Sequence, residues 1–136
     1  AYVTAPLSGQ GAAIAGGRWN SPGVRITYAS TSRPLALLEM LDTLPGARVY
    51  GLADPARVDQ RVATVSFTLA GHSPAQIATY LGQHGIYTWN GNFYALEITT
   101  RLGLEERGGL LRVGATHYNT LAEIQRLGEA LRDLVG

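Results

Sequence analysis

The chain has 136 residues, of which 46% are hydrophobic and 15% are charged, a balance typical of a folded globule rather than a disordered segment. Its formal net charge of +1 gives no general attraction for nucleic acid or for an acidic membrane. The absence of cysteine excludes a disulfide framework and a thiolate metal site, and it fits a cytoplasmic protein.

In the first half of the chain, the clearest predicted element is a helix. Ser32 lies near the helix cap, Pro34 lies in the first turn, and Leu44-Pro45-Gly46 ends the helix. In chain order these elements are a strand over 24–30, a helix over 33–43, a strand over 48–52 and a helical turn at 54–55.

The second half contains two capping boxes, which predict where two helices begin. Ser73 precedes Gln76 by three residues, and Thr120 precedes Glu123 in the same way. The other predicted elements are a strand over 61–69, a strand over 86–89, a turn over 90–92, a helix over 94–102 and a strand over 110–117. We expect the strands 61–69 and 110–117 to be central, with the final helix packed against them. The predicted fold is a single α+β domain over 1–136, with a mixed, mostly antiparallel sheet and helices on one or both faces.

All 11 basic residues are arginine, so no side chain of this chain carries an amine. A Schiff base with pyridoxal phosphate needs an amine that can lose its proton, whereas a guanidinium stays charged. Covalent binding of that cofactor by these residues is therefore excluded.

Residues 7–44 include the run GGRWNSPGVRITYASTSRPLALLEML. This segment resembles the amino-terminal part of RES-domain proteins, which are toxins of bacterial toxin–antitoxin pairs that degrade or transfer from NAD⁺. The resemblance assigns the family's arginine, strand tyrosine and helix glutamate to Arg18, Tyr28 and Glu39. An arginine can grip a phosphate, a carboxylate can stabilise positive charge on ribose, and a ring can stack on nicotinamide. The alternatives are a loop arginine for Arg18 and a solvated helix position for Glu39.

Residues 46–136 include GIYTWNGNFYALEITTRLGL and LLRVGATHYNTLAEI. They resemble the carboxyl-terminal small domain of class-V aminotransferases, closest to the cysteine desulfurase-like branch. The resemblance makes Arg112 the arginine that holds the substrate carboxylate, and places Trp89, Asn92 and Tyr94 on a loop that approaches the active site. The large domain, with its cofactor pocket and Schiff-base lysine, has no counterpart here. The alternatives are a surface or sheet-edge arginine and a loop that serves packing.

The histidines and the aromatic residues carry weaker signals. His72, His84 and His117 are spread over three predicted elements, so we predict no metal site. The aromatic residues of the second half are expected to pack in the core and on the sheet. Any exposed subset of them would form a protein-binding patch.

Three functional interpretations follow from two incomplete sites. The favoured one is a non-catalytic protein-binding module without a cofactor, in a toxin–antitoxin or inhibitor setting, whose partner is a toxin, an antitoxin or a nuclease. The second is an NAD-degrading or ADP-ribosyltransferase-like toxin that uses Arg18, Tyr28 and Glu39 with NAD as substrate. The third is a small domain that completes a pyridoxal enzyme in trans. No nucleic-acid or membrane partner is expected. The sequence leaves open a homo-oligomer, and its composite character is also compatible with a recombined or artificial chain.

Overall fold

A computed structural model of the chain describes residues 32–136. The predicted strand over 24–30, together with Arg18 and Tyr28, lies outside the described residues. Within 32–136 the helices are α1 (Arg33–Asp42), α2 (Pro74–Gln83), α3 (Leu96–Arg101) and α4 (Leu121–Val135), the strands are β1 (Ala47–Tyr50), β2 (Thr64–Leu69), β3 (Trp89–Gly91) and β4 (Leu110–Gly114), and the 3₁₀ turns are Pro55–Gln60 and Glu105–Arg107.

The four described strands form one antiparallel sheet in the order β1-β2-β4-β3. The strands β2 and β4 are therefore central, as predicted, and their register pairs Phe67 with Leu111 and Ser66 with Arg112. The α+β prediction is confirmed for residues 32–136, with every described strand pair antiparallel.

The core lies on one face of the sheet, which we call the inner face. Here Val65, Phe67 and Leu69 of β2 and Leu111 and Val113 of β4 are buried. Apolar and polar residues alternate along these strands, so the apolar side chains lie on the inner face and most of the polar ones lie on the other face. Side chains from three helices complete the same cluster: Leu37, Leu38 and Leu41 of α1, Ile77 and Leu81 of α2, and Ile124, Leu127 and Leu131 of α4.

The final helix packs chiefly on the other helices. Its most extensive contacts are with α1 and α2, and it meets the central strands through the shared cluster. Leu134 and Val135, which the helical spacing also places on the apolar face, are only half-buried in the last turn.

The predicted helix starts are confirmed by their hydrogen bonds. The Ser32 hydroxyl accepts from the Leu35 amide at 3.4 Å, and both capping boxes are formed. At Thr120 the backbone N–H donates to the Glu123 carboxylate at 2.6 Å. Each cap satisfies amides that a helix start leaves without partners.

The third strand lies further along the chain than predicted. It spans Trp89–Gly91 rather than 86–89, because Asn90 and Gly91 pair with Leu111 and Leu110 of β4. Asn and Gly favour turns locally, and pairing with a neighbouring strand overrides that preference. The strands predicted over 61–69 and 110–117 are shorter, at Thr64–Leu69 and Leu110–Gly114, and the strand predicted over 48–52 begins one residue earlier and ends two residues earlier, at Ala47–Tyr50.

Candidate functional site on the outer face of the sheet

Strand register places one transverse row of side chains on the face opposite the core. Tyr50 pairs with Ser66, Ser66 pairs with Arg112, and Arg112 pairs with Trp89, so the row crosses all four strands. We call this side of the sheet the outer face. Its strand residues are Arg48, Tyr50, Thr64, Ser66, Thr68, Trp89, Gly91, Leu110, Arg112 and Gly114. None of these residues is acidic.

Arg112 is the polar centre of this face. Its guanidinium carbon lies 4.5 Å from the centroid of the Phe93 ring and 5.4 Å from that of Trp89. Arg112 is half-buried, and its side chain makes no hydrogen bond or ion pair with another residue of 32–136. A planar guanidinium held against two rings, with no acceptor among these residues, suits a carboxylate or a phosphate. Phe93 was not among the predicted site residues, because its contact with Arg112 depends on strand register.

A tight turn carries Phe93 to Arg112. Phe93 and Tyr94 both adopt the left-handed backbone conformation, with φ of 55° and 62°, which costs roughly 1–2 kcal/mol per residue. The Asn92 side chain stabilises the turn, since its Oδ1 accepts from the Tyr94 amide at 3.1 Å and its Nδ2 donates to Glu105 at 3.0 Å. The positive φ values also explain why the third helix begins at Leu96 and not at residue 94.

Glu105 joins this turn to the third helix. One carboxylate oxygen accepts from Asn92, and the other accepts from the Thr99 hydroxyl at 2.5 Å. Thr99 is 1% exposed, and its buried hydroxyl has a second acceptor in the Leu96 carbonyl at 3.0 Å, so it does not depend on Glu105 alone. Sequence reasoning missed Glu105 and Thr99, because their roles appear only when three separate segments meet.

Glu39 and Arg112 lie on different sides of the sheet. Glu39 belongs to α1, whose apolar residues join the inner-face cluster, whereas Arg112 projects from the outer face. Partial burial raises the pKa of the Glu39 carboxyl. The helix glutamate and the strand arginine, each implied by a different resemblance, therefore do not form one site.

Exposed apolar side chains are concentrated in the chain segment that runs from Tyr87 to Leu102, which includes Trp89 beside Arg112. We call this group the β3–α3 surface; it comprises Tyr87, Trp89, Tyr94, Leu96, Ile98 and Leu102. Tyr87 is 89% exposed, Trp89 59% and Tyr94 98%. The expectation of core packing is wrong for these three aromatic residues and for Tyr118. An exposed apolar cluster of this kind is typical of an interaction surface.

Two of the three histidine rings lie against backbone carbonyls, and the His117 ring contacts that of Tyr118. Nδ1 of His84 lies 2.8 Å from the Tyr80 carbonyl, and Nδ1 of His72 lies 3.3 Å from that of Ala70. Within residues 32–136 no cluster of three or more His, Cys, Asp or Glu side chains could hold a metal ion. In the same part of the chain, every helix is too short or too polar to cross a membrane.

Comparison with known proteins assigns the family. The model of the RES domain matches residues 1–134. The chain belongs to the RES domain family. The chain is also similar to the Prs ADP-ribosylating toxin of Sphingobium sp. strain YBL2, which is 60% identical over 38 residues that cover 28% of this chain and 24% of the toxin. The RES match extends well beyond the 7–44 segment that carried the resemblance in sequence.

This RES-family chain is also similar to cysteine desulfurases. A probable cysteine desulfurase of Methanothermobacter thermautotrophicus is 32% identical over 97 residues, covering 71% of this chain and 23% of that protein. The cysteine desulfurase of Synechococcus elongatus is 34% identical over 93 residues, covering 68% of this chain and 14% of that protein. Both resemblances predicted from sequence are confirmed by these matches. The chain spans about a quarter or less of the length of each relative named here.

A solved structure gives the same result for the fold. A cysteine desulfurase of Escherichia coli matches with a TM-score of 0.61 and 24% identity, over 76% of this chain and 24% of that one. At this identity the likeness shows the fold alone. The residues of the chain do not fit covalently bound pyridoxal phosphate, since none of them is lysine.

Proposed function

We propose that this RES-family chain is a non-catalytic module that binds a protein partner, in a toxin–antitoxin pair or a comparable inhibitory complex. The β3–α3 surface carries the proposal. Six of the nine large hydrophobic side chains that are exposed in residues 32–136 lie between Tyr87 and Leu102. Such a concentration costs solubility unless it contacts another molecule, and aromatic residues dominate the binding energy of protein interfaces.

In the proposed complex the partner would be a toxin, an antitoxin or a nuclease, and it would contact the β3–α3 surface.

The separation of the charged groups argues against catalysis by residues 32–136 alone. The Glu39 carboxyl and the Arg112 guanidinium lie on different sides of the sheet, and no lysine is present. A catalytic centre needs its groups to converge within about 3 Å of the reacting atoms.

Peptide selection on the purified chain tests the proposal. Peptides selected by phage display should lose at least about tenfold in affinity for the Tyr94→Ala variant, since exposed aromatic anchors carry much of such binding. Tyr118→Ala is the matched control, because Tyr118 is also exposed but lies outside the β3–α3 surface. Equal binding to wild type and Tyr94→Ala, or saturable NAD⁺ consumption by the chain alone, would contradict the proposal.

A second candidate is favoured by the match to the Sphingobium toxin. Its 60% identity over 38 residues supports an ADP-ribosyltransferase-like activity in which Arg18, Tyr28 and Glu39 act on NAD. Release of nicotinamide that is abolished in both Arg18→Ala and Glu39→Gln would establish this candidate. Release that persists in either variant would assign the activity to other groups.

A third candidate, completion of a pyridoxal enzyme in trans, is favoured by the fold. The sheet and helices match the E. coli desulfurase, and Arg112 presents unpaired donors within residues 32–136. Mixing the chain with a desulfurase truncated before the matched segment should then restore cysteine desulfuration, and Arg112→Gln should prevent it.

A further inference from the structure

We propose that the outer face of the sheet recognises an acidic, aromatic-containing protein segment that lies extended across Arg48 and Arg112. This inference rests on the proposed function, since it names the chemistry of the partner. In this proposal Arg112 and Arg48 are the two residues that bind carboxylates. The four described strands place no carboxylate on the outer face.

The two arginines of this face are held in the same way. The Arg48 guanidinium carbon lies 5.1 Å from the centroid of the Tyr50 ring, and Arg112 stacks over Phe93 and Trp89. Within residues 32–136 neither arginine side chain makes a hydrogen bond or an ion pair. Ring stacking fixes each guanidinium before a ligand arrives, so less side-chain entropy is lost when a carboxylate binds.

Most of the other arginines in residues 32–136 are already engaged. Arg61 donates to the carbonyls of Leu52 and Thr64, Arg33 donates to those of Asn119 and His117, and Arg101 pairs with Glu97. Arg107 and Arg132 are not engaged in this way, but they lie in a 3₁₀ turn and in α4 rather than on a strand. Arg48 and Arg112 are therefore the two arginines that the strands of the outer face offer to an external anion.

The spacing of the two arginines fits an extended peptide. Arg48 aligns with Thr68 on β2, and Arg112 aligns with Ser66, two residues along the same strand. Strands lie about 4.8 Å apart and rise about 3.3 Å per residue, so the two α-carbons are roughly 12 Å apart. Carboxylates four residues apart in an extended peptide are separated by about 13 Å and point to the same side.

The ring contacts favour a protein segment over single-stranded nucleic acid. Nucleic-acid sheets offer free aromatic faces on which bases stack, beside a strongly positive groove. Here the rings of Tyr50, Trp89 and Phe93 already contact guanidinium groups. The net charge is only +1. Two carboxylates with an apolar residue between them match this face better than a chain of phosphates.

Fluorescence anisotropy with a labelled, end-blocked peptide of sequence GEAFAEG tests the inference on the full chain. We expect saturable binding that weakens as salt is raised. Arg112→Gln should weaken binding about tenfold and Arg48→Gln several-fold, because each removes a charge-assisted contact. Arg112→Lys should fall between wild type and Arg112→Gln, since it keeps the charge without the planar fork.

The controls separate this inference from the proposed function. The peptide GQAFAQG removes both carboxylates, and Arg57→Gln removes a cation from the 3₁₀ turn outside the outer face, where Arg57 bonds to Gln60. Arg57→Gln should bind GEAFAEG as the wild type does, and GQAFAQG should not bind. No saturable binding of GEAFAEG up to about 1 mM, equal binding of GQAFAQG, or tighter binding of a ten-nucleotide oligothymidine would overturn the inference. If display-selected peptides still depend on Tyr94, the proposed function survives that result.

Discussion

On the inner face of the sheet, Val65, Phe67 and Leu69 are each no more than 2% exposed, whereas Thr64, Ser66 and Thr68 of the same strand point to the outer face. One strand thus supplies both a dry apolar surface and a polar one, because successive side chains alternate. The inner face is covered by three helices of the same chain. The outer face instead holds arginines stacked on aromatic rings. The comparison indicates that the inner face stabilises the fold, whereas the outer face is suited to binding.

The largest effect should come from opening a cavity on the inner face. Phe67→Ala removes a side chain that is 0% exposed, and a buried Phe→Ala substitution costs about 3–5 kcal/mol. Urea unfolding of the purified variant measures this loss. The neighbouring substitution Thr68→Ala on the outer face is the control and should change stability by only about 0.5 kcal/mol. Similar losses for the two variants would remove the distinction between the faces.

The next largest effect is expected where the turn beside β4 approaches β3. A Cβ at Gly109 would lie 2.3 Å from the Gly91 carbonyl oxygen, and Gly109 has a φ of +81°. Gly109→Ala should therefore cost about 3 kcal/mol, since it combines a backbone clash with a left-handed residue. Gly103 also has a positive φ, of +67°, but a Cβ there meets nothing within 4 Å.

Gly103→Ala is therefore the matched control, with an expected cost of about 1 kcal/mol from conformation alone. Thermal unfolding of both variants separates the two contributions. Equal costs for the two variants would show that the position of β3 does not depend on the close approach of Gly109 to Gly91. The same result would mean that this contact does not fix the position of Trp89 on the outer face.

A smaller effect should follow from releasing the turn that carries Phe93. Glu105→Ala removes one acceptor each from Asn92 and Thr99 and should cost about 1 kcal/mol, because two hydrogen bonds to a carboxylate are lost while the Thr99 hydroxyl keeps the Leu96 carbonyl as an acceptor. Glu106→Ala, at an exposed neighbouring position, should leave stability nearly unchanged.

The same pair of variants tests the outer face itself. If Glu105 positions Phe93 against Arg112, then GEAFAEG should bind more weakly to Glu105→Ala than to Glu106→Ala. Unchanged peptide binding would limit Glu105 to a structural role in the third helix.

Local signals in the sequence predicted the inner face well. The alternation over 61–69 and the capping boxes at Ser73 and Thr120 act over a few residues, so their outcome follows from neighbours along the chain. The apolar spacing of the final helix also predicts burial of Ile124, Leu127, Leu131, Leu134 and Val135, of which the first three are buried and the last two half-buried.

The outer face was only partly predictable, because it depends on register. The resemblance to aminotransferases pointed to Arg112, Trp89, Asn92 and Tyr94, but the pairing that aligns Tyr50, Ser66 and Arg112 is a long-range property. The position of the third strand was missed for a related reason. Its pairing relies on the close approach of Gly109 to Gly91, which no local pattern reveals. Arg18 and Tyr28 lie outside the described residues, so their role stays a prediction.

The smallest effects concern two glutamates whose stability contributions change with pH in opposite directions. Hydrogen bonds from the Thr120 backbone, the Thr120 hydroxyl and the Asn119 amide lower the pKa of Glu123 below its ordinary value of 4.5. Its contribution is therefore present above that value and is lost as the pH falls through the lowered pKa. Burial raises the pKa of Glu39, so its contribution is present at low pH and is lost as the pH rises through the raised pKa.

Glutamine at either position removes the titration while keeping a similar shape, and at residue 123 it can still form a capping box. Urea midpoints between about pH 3 and 7 should therefore fall less steeply on acidification in Glu123→Gln than in the wild type. In Glu39→Gln, stability relative to the wild type should increase as the pH rises past the ordinary glutamate value. Parallel pH profiles for Glu39→Gln and the wild type would mean that α1 places this carboxylate in solvent. In that case α1 would bury only apolar side chains against the inner face. The inner face would then differ even more in polarity from the outer face, where the arginines lie.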